Sequence, residues 1–69
     1  MEKSQVGKEE RWELVEWSDH QLAKWLRNQD PDWTFQTHGK WNYHYCNGIL
    51  VSKVFFYGSA DRTIYIRIM

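Results

Sequence analysis

The chain is short of cysteine, proline and glycine, with Cys46 alone, Pro31 alone and four glycines in 69 residues. A lone thiol cannot close an internal disulfide, so the bridged frameworks of small secreted domains are excluded and a reducing, cytoplasmic setting is expected. No apolar run is long enough to cross a bilayer, and the opening MEKSQVGKEE lacks the hydrophobic stretch of a signal peptide. No membrane partner is expected. There is no phosphate-binding glycine loop, nucleophile elbow or zinc-protease helix, and no internal repeat or low-complexity segment. Net charge is zero, which excludes a uniformly basic or acidic surface.

Aromatic side chains are what the chain does have, at 17% of residues, with five Trp, four Tyr and three Phe. A chain this short buries only about 60% of the surface its unfolded form exposes, so it has material for one domain. Each large ring buries about 150 to 250 Å², so a few of them can stabilise a small core without a disulfide or a metal. Charge is unevenly placed along the chain. Residues 1–32 carry five Lys or Arg against eight acids, whereas residues 33–69 carry Lys40, Lys53, Arg62 and Arg67 against Asp61 alone. The second half is the better match for an anionic partner.

Residues 1–10 have no periodic apolar positions and are expected to form a flexible polar tail, with a single α+β domain over 11–69. The run Arg11 to Trp17 reads as a strand with Trp12 and Leu14 on one side and Val15 and Trp17 on the other, although a helical turn pairing Trp12 with Val15 is an alternative. Ser18 and Gln21 have the spacing of a capping box, and Trp17 and Leu22 that of a hydrophobic staple. A helix over about 19–29 follows, with Leu22, Trp25 and Leu26 as its apolar stripe, Arg27 suiting the dipole of the last turn, and Asp30-Pro31 ending it.

Alternation replaces helical periodicity after Pro31. A three-residue loop, Thr37-His38-Gly39, is expected to pair Phe35 with Trp41, in preference to a two-residue loop at His38-Gly39 that would pair Gln36 with Trp41. The preferred register gathers Trp33, Phe35, Trp41, Tyr43 and Tyr45 on one face, where the helix can pack. Asn47-Gly48 implies a type I′ turn pairing Cys46 with Ile49, which puts Leu50, Val54 and Phe56 with Tyr45 and Trp41. The last strand, Arg62 to Met69, has Ile64, Ile66 and Ile68 on one side and Thr63, Tyr65, Arg67 and Met69 on the other. The expected fold is therefore an antiparallel sheet in the order β-α-β-β-β-β, ending in a four-stranded meander, with one helix on one face.

One helix cannot cover two sheet faces. Ile49, Val51, Lys53, Phe55, Tyr57, Tyr65 and Arg67 are left as the candidate partner-binding residues, on the side of His44 and Cys46. The cover could be the segment around Trp12, Leu14 and Trp17 folded back, a second copy meeting this face or the edge of the last strand, or another macromolecule. The expectation is a non-catalytic interaction protein that forms a homo-oligomer or binds another protein. The alternative is a single-stranded nucleic-acid-binding protein, with the rings stacking on bases and Lys53 and Arg67 meeting phosphates. A small metal-independent ribonuclease using His20, His38, His44 and Lys40 stands third, because the spacing predicts no shared cleft. His44 and Cys46 supply two metal ligands where zinc needs more, so neither a metal nor any other cofactor is expected.

Overall fold

The computed structural model describes residues 11–68. It contains five strands and one helix: β1 (Trp12–Val15), α1 (Asp19–Gln29), β2 (Thr34–His38), β3 (Trp41–Cys46), β4 (Ile49–Phe56) and β5 (Arg62–Arg67). The strands form one antiparallel sheet in the order β1-β5-β4-β3-β2. The expected α+β architecture and the meander from β2 to β5 are both present. The expected tail at 1–10 and Met69 lie outside the described residues.

The helix follows from local chemistry. Ser18 Oγ accepts from the Gln21 backbone N–H at 3.2 Å, and the Gln21 side chain accepts from the Ser18 N–H at 2.8 Å, which closes the capping box. The Trp17 ring lies 5.6 Å from that of Trp25 and packs on the same core as Leu22. At the other end Asp30 is extended, as a residue before proline must be, and its N–H closes the last turn on the Leu26 carbonyl at 2.9 Å. Its carboxylate then ties three elements together, accepting from the Asp32 N–H at 3.0 Å and from the Asn47 N–H at 2.8 Å.

Two turns set the sheet. Asn47 and Gly48 both have positive φ, as a type I′ turn requires, and Cys46 pairs with Ile49 as the sequence implies. The β2–β3 turn differs from the expected loop. Its two central residues are Gly39 and Lys40, with Gly39 at φ 59°, and His38 pairs with Trp41. Glycine opens this turn rather than closing it, the arrangement of a type II′ hairpin. Gln36 consequently faces Tyr43 and Phe35 faces His44, so Trp33 and Phe35 lie on the opposite side of the sheet from Trp41, Tyr43 and Tyr45.

A second departure is a β-bulge. The register of β3 against β4 slips between His44 and Tyr45, so Tyr45 faces Leu50 while His44 faces Ser52, and Val51 is the extra residue. Beyond the bulge Ser52 and Val54 share a face with His44, whereas Lys53 and Phe55 share one with Tyr43 and Trp41. The helix packs on the His44 side. All eight buried residues among those described lie on the helix or on that side: Leu22, Leu26, His44, Cys46, Ser52, Val54, Ile64 and Ile66.

Asp30 hydrogen-bonds the helix end to the β3–β4 turn through its carboxylate. Its replacement by alanine is expected to cost about 1–2 kcal/mol, since hydrogen bonds to a carboxylate are stronger than neutral ones. Urea denaturation checks this, and an unchanged midpoint would mean that water substitutes for the carboxylate at both amides.

Candidate functional site

The face away from the helix is an aromatic surface. Alternation places Trp12 and Leu14 of β1, Trp41, Tyr43 and Tyr45 of β3, Lys53 and Phe55 of β4, and Thr63, Tyr65 and Arg67 of β5 on it. Tyr57 continues β4 with its ring 6.2 Å from Phe55. Trp41 stands at the centre of the rings, 4.9 Å from Phe55, 6.0 Å from Tyr43 and 6.3 Å from Tyr65. None of these side chains is buried.

Five residues that the sequence points to are brought together here: Lys53, Phe55, Tyr57, Tyr65 and Arg67. Two are not. The bulge leaves Ile49 sharing the face of Cys46 at the end of the sheet, 53% exposed, and makes Val51 the inserted residue, half-buried and packed against the core. The expected companions of the face also change, because His44 and Cys46 lie beneath the helix while Trp41, Tyr43 and Tyr45 take their place. The single-residue insertion explains the exchange, since it reverses the facing of every later residue of β4 relative to β3.

The segment around Trp12 does not fold back as a cover. It pairs alongside β5 as an edge strand, Trp12 opposite Arg67 and Leu14 opposite Tyr65, and so widens the open face. The last strand is accordingly interior to the sheet and its edge is not open, which removes it as a pairing edge.

The centre of this face is basic, and the acids Glu16 and Asp61 stand at its margin beside Tyr57. Lys53 reaches across it, its Nζ 4.4 Å from the centre of the Trp12 ring and 5.9 Å from that of Trp41, a cation–π geometry. Arg67 lies on the same face and donates from Nη1 to the Leu50 carbonyl at 3.3 Å. His38, at the end of β2, holds its ring 5.8 Å from Tyr43. The described strands carry a single carboxylate, Glu13, and its register with Ile66 puts it on the helix side.

The histidines do not form a cleft. His20 is exposed in the first turn of α1, His38 is on the open face, and His44 is buried on the other, 5.7 Å from the Trp33 ring. Two open hollows beside Tyr57, of about 410 and 420 Å³, are lined by none of the three. Among the described residues no three His, Cys, Asp or Glu stand close enough to hold a metal ion. The Cys46 Sγ–H donates to the Leu26 carbonyl at 3.6 Å, and burial, then the Asp30 charge, raises its pKa.

No protein-family model, no curated protein and no solved structure matches this chain.

His44 provides a test of the buried side. Its Nδ1 has no hydrogen-bond partner, nor does Oγ of Ser52, the residue paired with it. Burial lowers the His44 pKa, with the Asp19 charge opposing the shift. The unfolded chain therefore binds a proton more readily than the native one. The His44 contribution is complete above the ordinary histidine value of about 6.5 and is lost as pH falls through the lower native value. Urea midpoints at about pH 7.5 and pH 5 should differ less in His44→Phe than in the parent; equal differences would show that His44 does not set the acid limb.

Proposed function

We propose that this chain is a small non-catalytic binding protein that engages a macromolecular partner through the open sheet face. The observation that carries the reading is the assembly of Trp12, Trp41, Tyr43, Phe55, Tyr57 and Tyr65 into one surface that the only helix among the described residues leaves uncovered. Monomeric proteins rarely present an apolar patch of more than a few hundred Å² without using it. Large rings also supply contact area with few rotatable bonds, so they are ordered at low entropic cost. The separation of His20, His38 and His44 supports the non-catalytic part of the reading. No described helix is long and apolar enough to cross a membrane. The single buried cysteine fits a reducing compartment, and we place the protein in the cytoplasm.

A second reading is self-association through β2. That strand is exposed along its whole length and lies at one end of the sheet. It carries no proline, lysine or glutamate in TFQTH, the usual means of discouraging edge pairing.

The open-face reading predicts that Phe55→Glu and Tyr57→Glu keep the thermal transition of the parent within about 1 kcal/mol, as surface changes do, while abolishing assembly or partner binding. Val54→Glu, one residue away but beneath the helix, should unfold the chain. Circular dichroism with sedimentation of each variant makes the comparison. If Phe55→Glu unfolds a chain whose parent is monomeric, the face is ordinary core and the proposal fails.

A further inference from the structure

We infer that the occupant of the open face is a single-stranded nucleic acid, bound by stacking of its bases on the Trp41 cluster while Lys53 meets the backbone phosphates. This rests on the reading of the face as a docking surface. Charge selects among the possible occupants. Lys53 rises among the rings between Tyr43 and Tyr65, its partners on β3 and β5, and no carboxylate of a described strand shares its face; Glu16 and Asp61 lie off the strands, at the margin beside Tyr57. Two copies pressed face to face would bury two lysines with no opposite charge from those strands, and a buried unpaired charge costs several kcal/mol. The second copy is therefore the poorer occupant. A protein segment would have to bring a carboxylate to Lys53 and flat apolar groups to the rings around it. A nucleic-acid strand carries both in every nucleotide.

The geometry agrees with stacking. Trp41 and Tyr43 have nearly parallel planes, 11° apart, and Phe55 and Tyr57 are 27° apart, while Trp41 is tilted 45° to Phe55 and 31° to Tyr65, so similarly oriented ring faces occur in pairs along β3 and β4. From β3 to β1 the platform crosses four adjacent strands, about 14 Å at the usual strand spacing. That is room for several bases at a rise of about 3.4 Å. A duplex would hide its base faces from such a platform. The preference is therefore for unpaired strands and depends little on sequence, because every base has a π-face.

The test titrates the full chain into fluorescein-labelled oligothymidylate and oligouridylate of about twelve nucleotides, and into a duplex of equal length, and reads anisotropy. Single strands are expected to bind at least about tenfold more tightly than the duplex. Trp41→Leu, which keeps apolar volume and removes the ring, should weaken binding by about tenfold. Lys53→Gln should lower the slope of log affinity against log salt by about 0.7, the share of one phosphate contact to a single strand. Phe35→Leu, on the helix side, should change neither. Melting curves confirm that each variant is folded. The inference is overturned if neither oligonucleotide binds at about 50 mM salt, or if binding survives both Trp41→Leu and Lys53→Gln. If no oligonucleotide binds but Phe55→Glu dissociates an assembled parent, nucleic acid is excluded and the docking face stands. If Phe55→Glu unfolds a monomeric parent, both are excluded.

Discussion

The connection from β1 to β2 has to cross the entire sheet, because those two strands lie at opposite edges of it. Five strands at a spacing of about 4.8 Å put the outer two some 19 Å apart. The helix that makes the crossing has 11 residues, about 16 Å of axis. A single helix about 10 Å across can protect only the middle of one face. Leu22 and Leu26 do so, closing over Cys46, Val54, Ile64 and Ile66. The core is one layer deep as a result, and Phe35, on the helix side but on the outer strand β2, is still 57% exposed.

The bulge at Val51 makes this arrangement possible. Continued without a break, the register that starts at Cys46 opposite Ile49 would set Val51, Lys53, Phe55 and Tyr57 on the face of His44 and Cys46, beneath the helix. Lys53 would then enter the core with no buried acid to meet it, at a cost of several kcal/mol. One inserted residue puts Ser52 and Val54 inside and Lys53 outside. Ser52 is fully buried with its hydroxyl unpartnered, a smaller penalty than a desolvated ammonium. The bulge therefore exchanges a charged residue for a small polar one at the centre of the core.

Features decided within four or five residues could be read directly from the chain. The Ser18–Gln21 box, the Asp30-Pro31 stop and the Asn47-Gly48 turn each satisfy groups close in sequence, and each is where its chemistry places it. Gly39 was ambiguous for a physical reason, since one glycine can open a two-residue turn or close a three-residue one, and the flanking aromatics fit either. Val51 carried no local sign, because Ile49, Leu50 and Val51 are all apolar; only the position of Lys53 relative to the helix reveals the slip. The pairing of β1 with β5 joins segments some fifty residues apart, and nothing near Trp12 announces it. The open face was legible in part because two displacements, the turn at Gly39 and the bulge at Val51, offset each other for Lys53, Phe55 and Tyr57. They did not do so for Trp41, Tyr43 and Tyr45.

The placing of the tyrosines shows how an uncovered aromatic face, with Trp12, Trp41 and Phe55 also on it, can persist in water. All four tyrosines, Tyr43, Tyr45, Tyr57 and Tyr65, are on it, whereas Trp17, Trp25, Trp33, Phe35 and Phe56 lie on the helix side or in the helix. A tyrosine ring offers an apolar surface while its hydroxyl stays hydrated, so the face loses less by exposure than the same area of Phe or Leu would. Lys53 acts in the same sense, its ammonium resting over the Trp12 ring at the surface rather than in the core. These are also the properties of a surface that must be wet when alone and partly dry when occupied. The hydroxyls can keep water as the ring faces are covered, and the Lys53 ammonium is met where the partner brings an opposite charge.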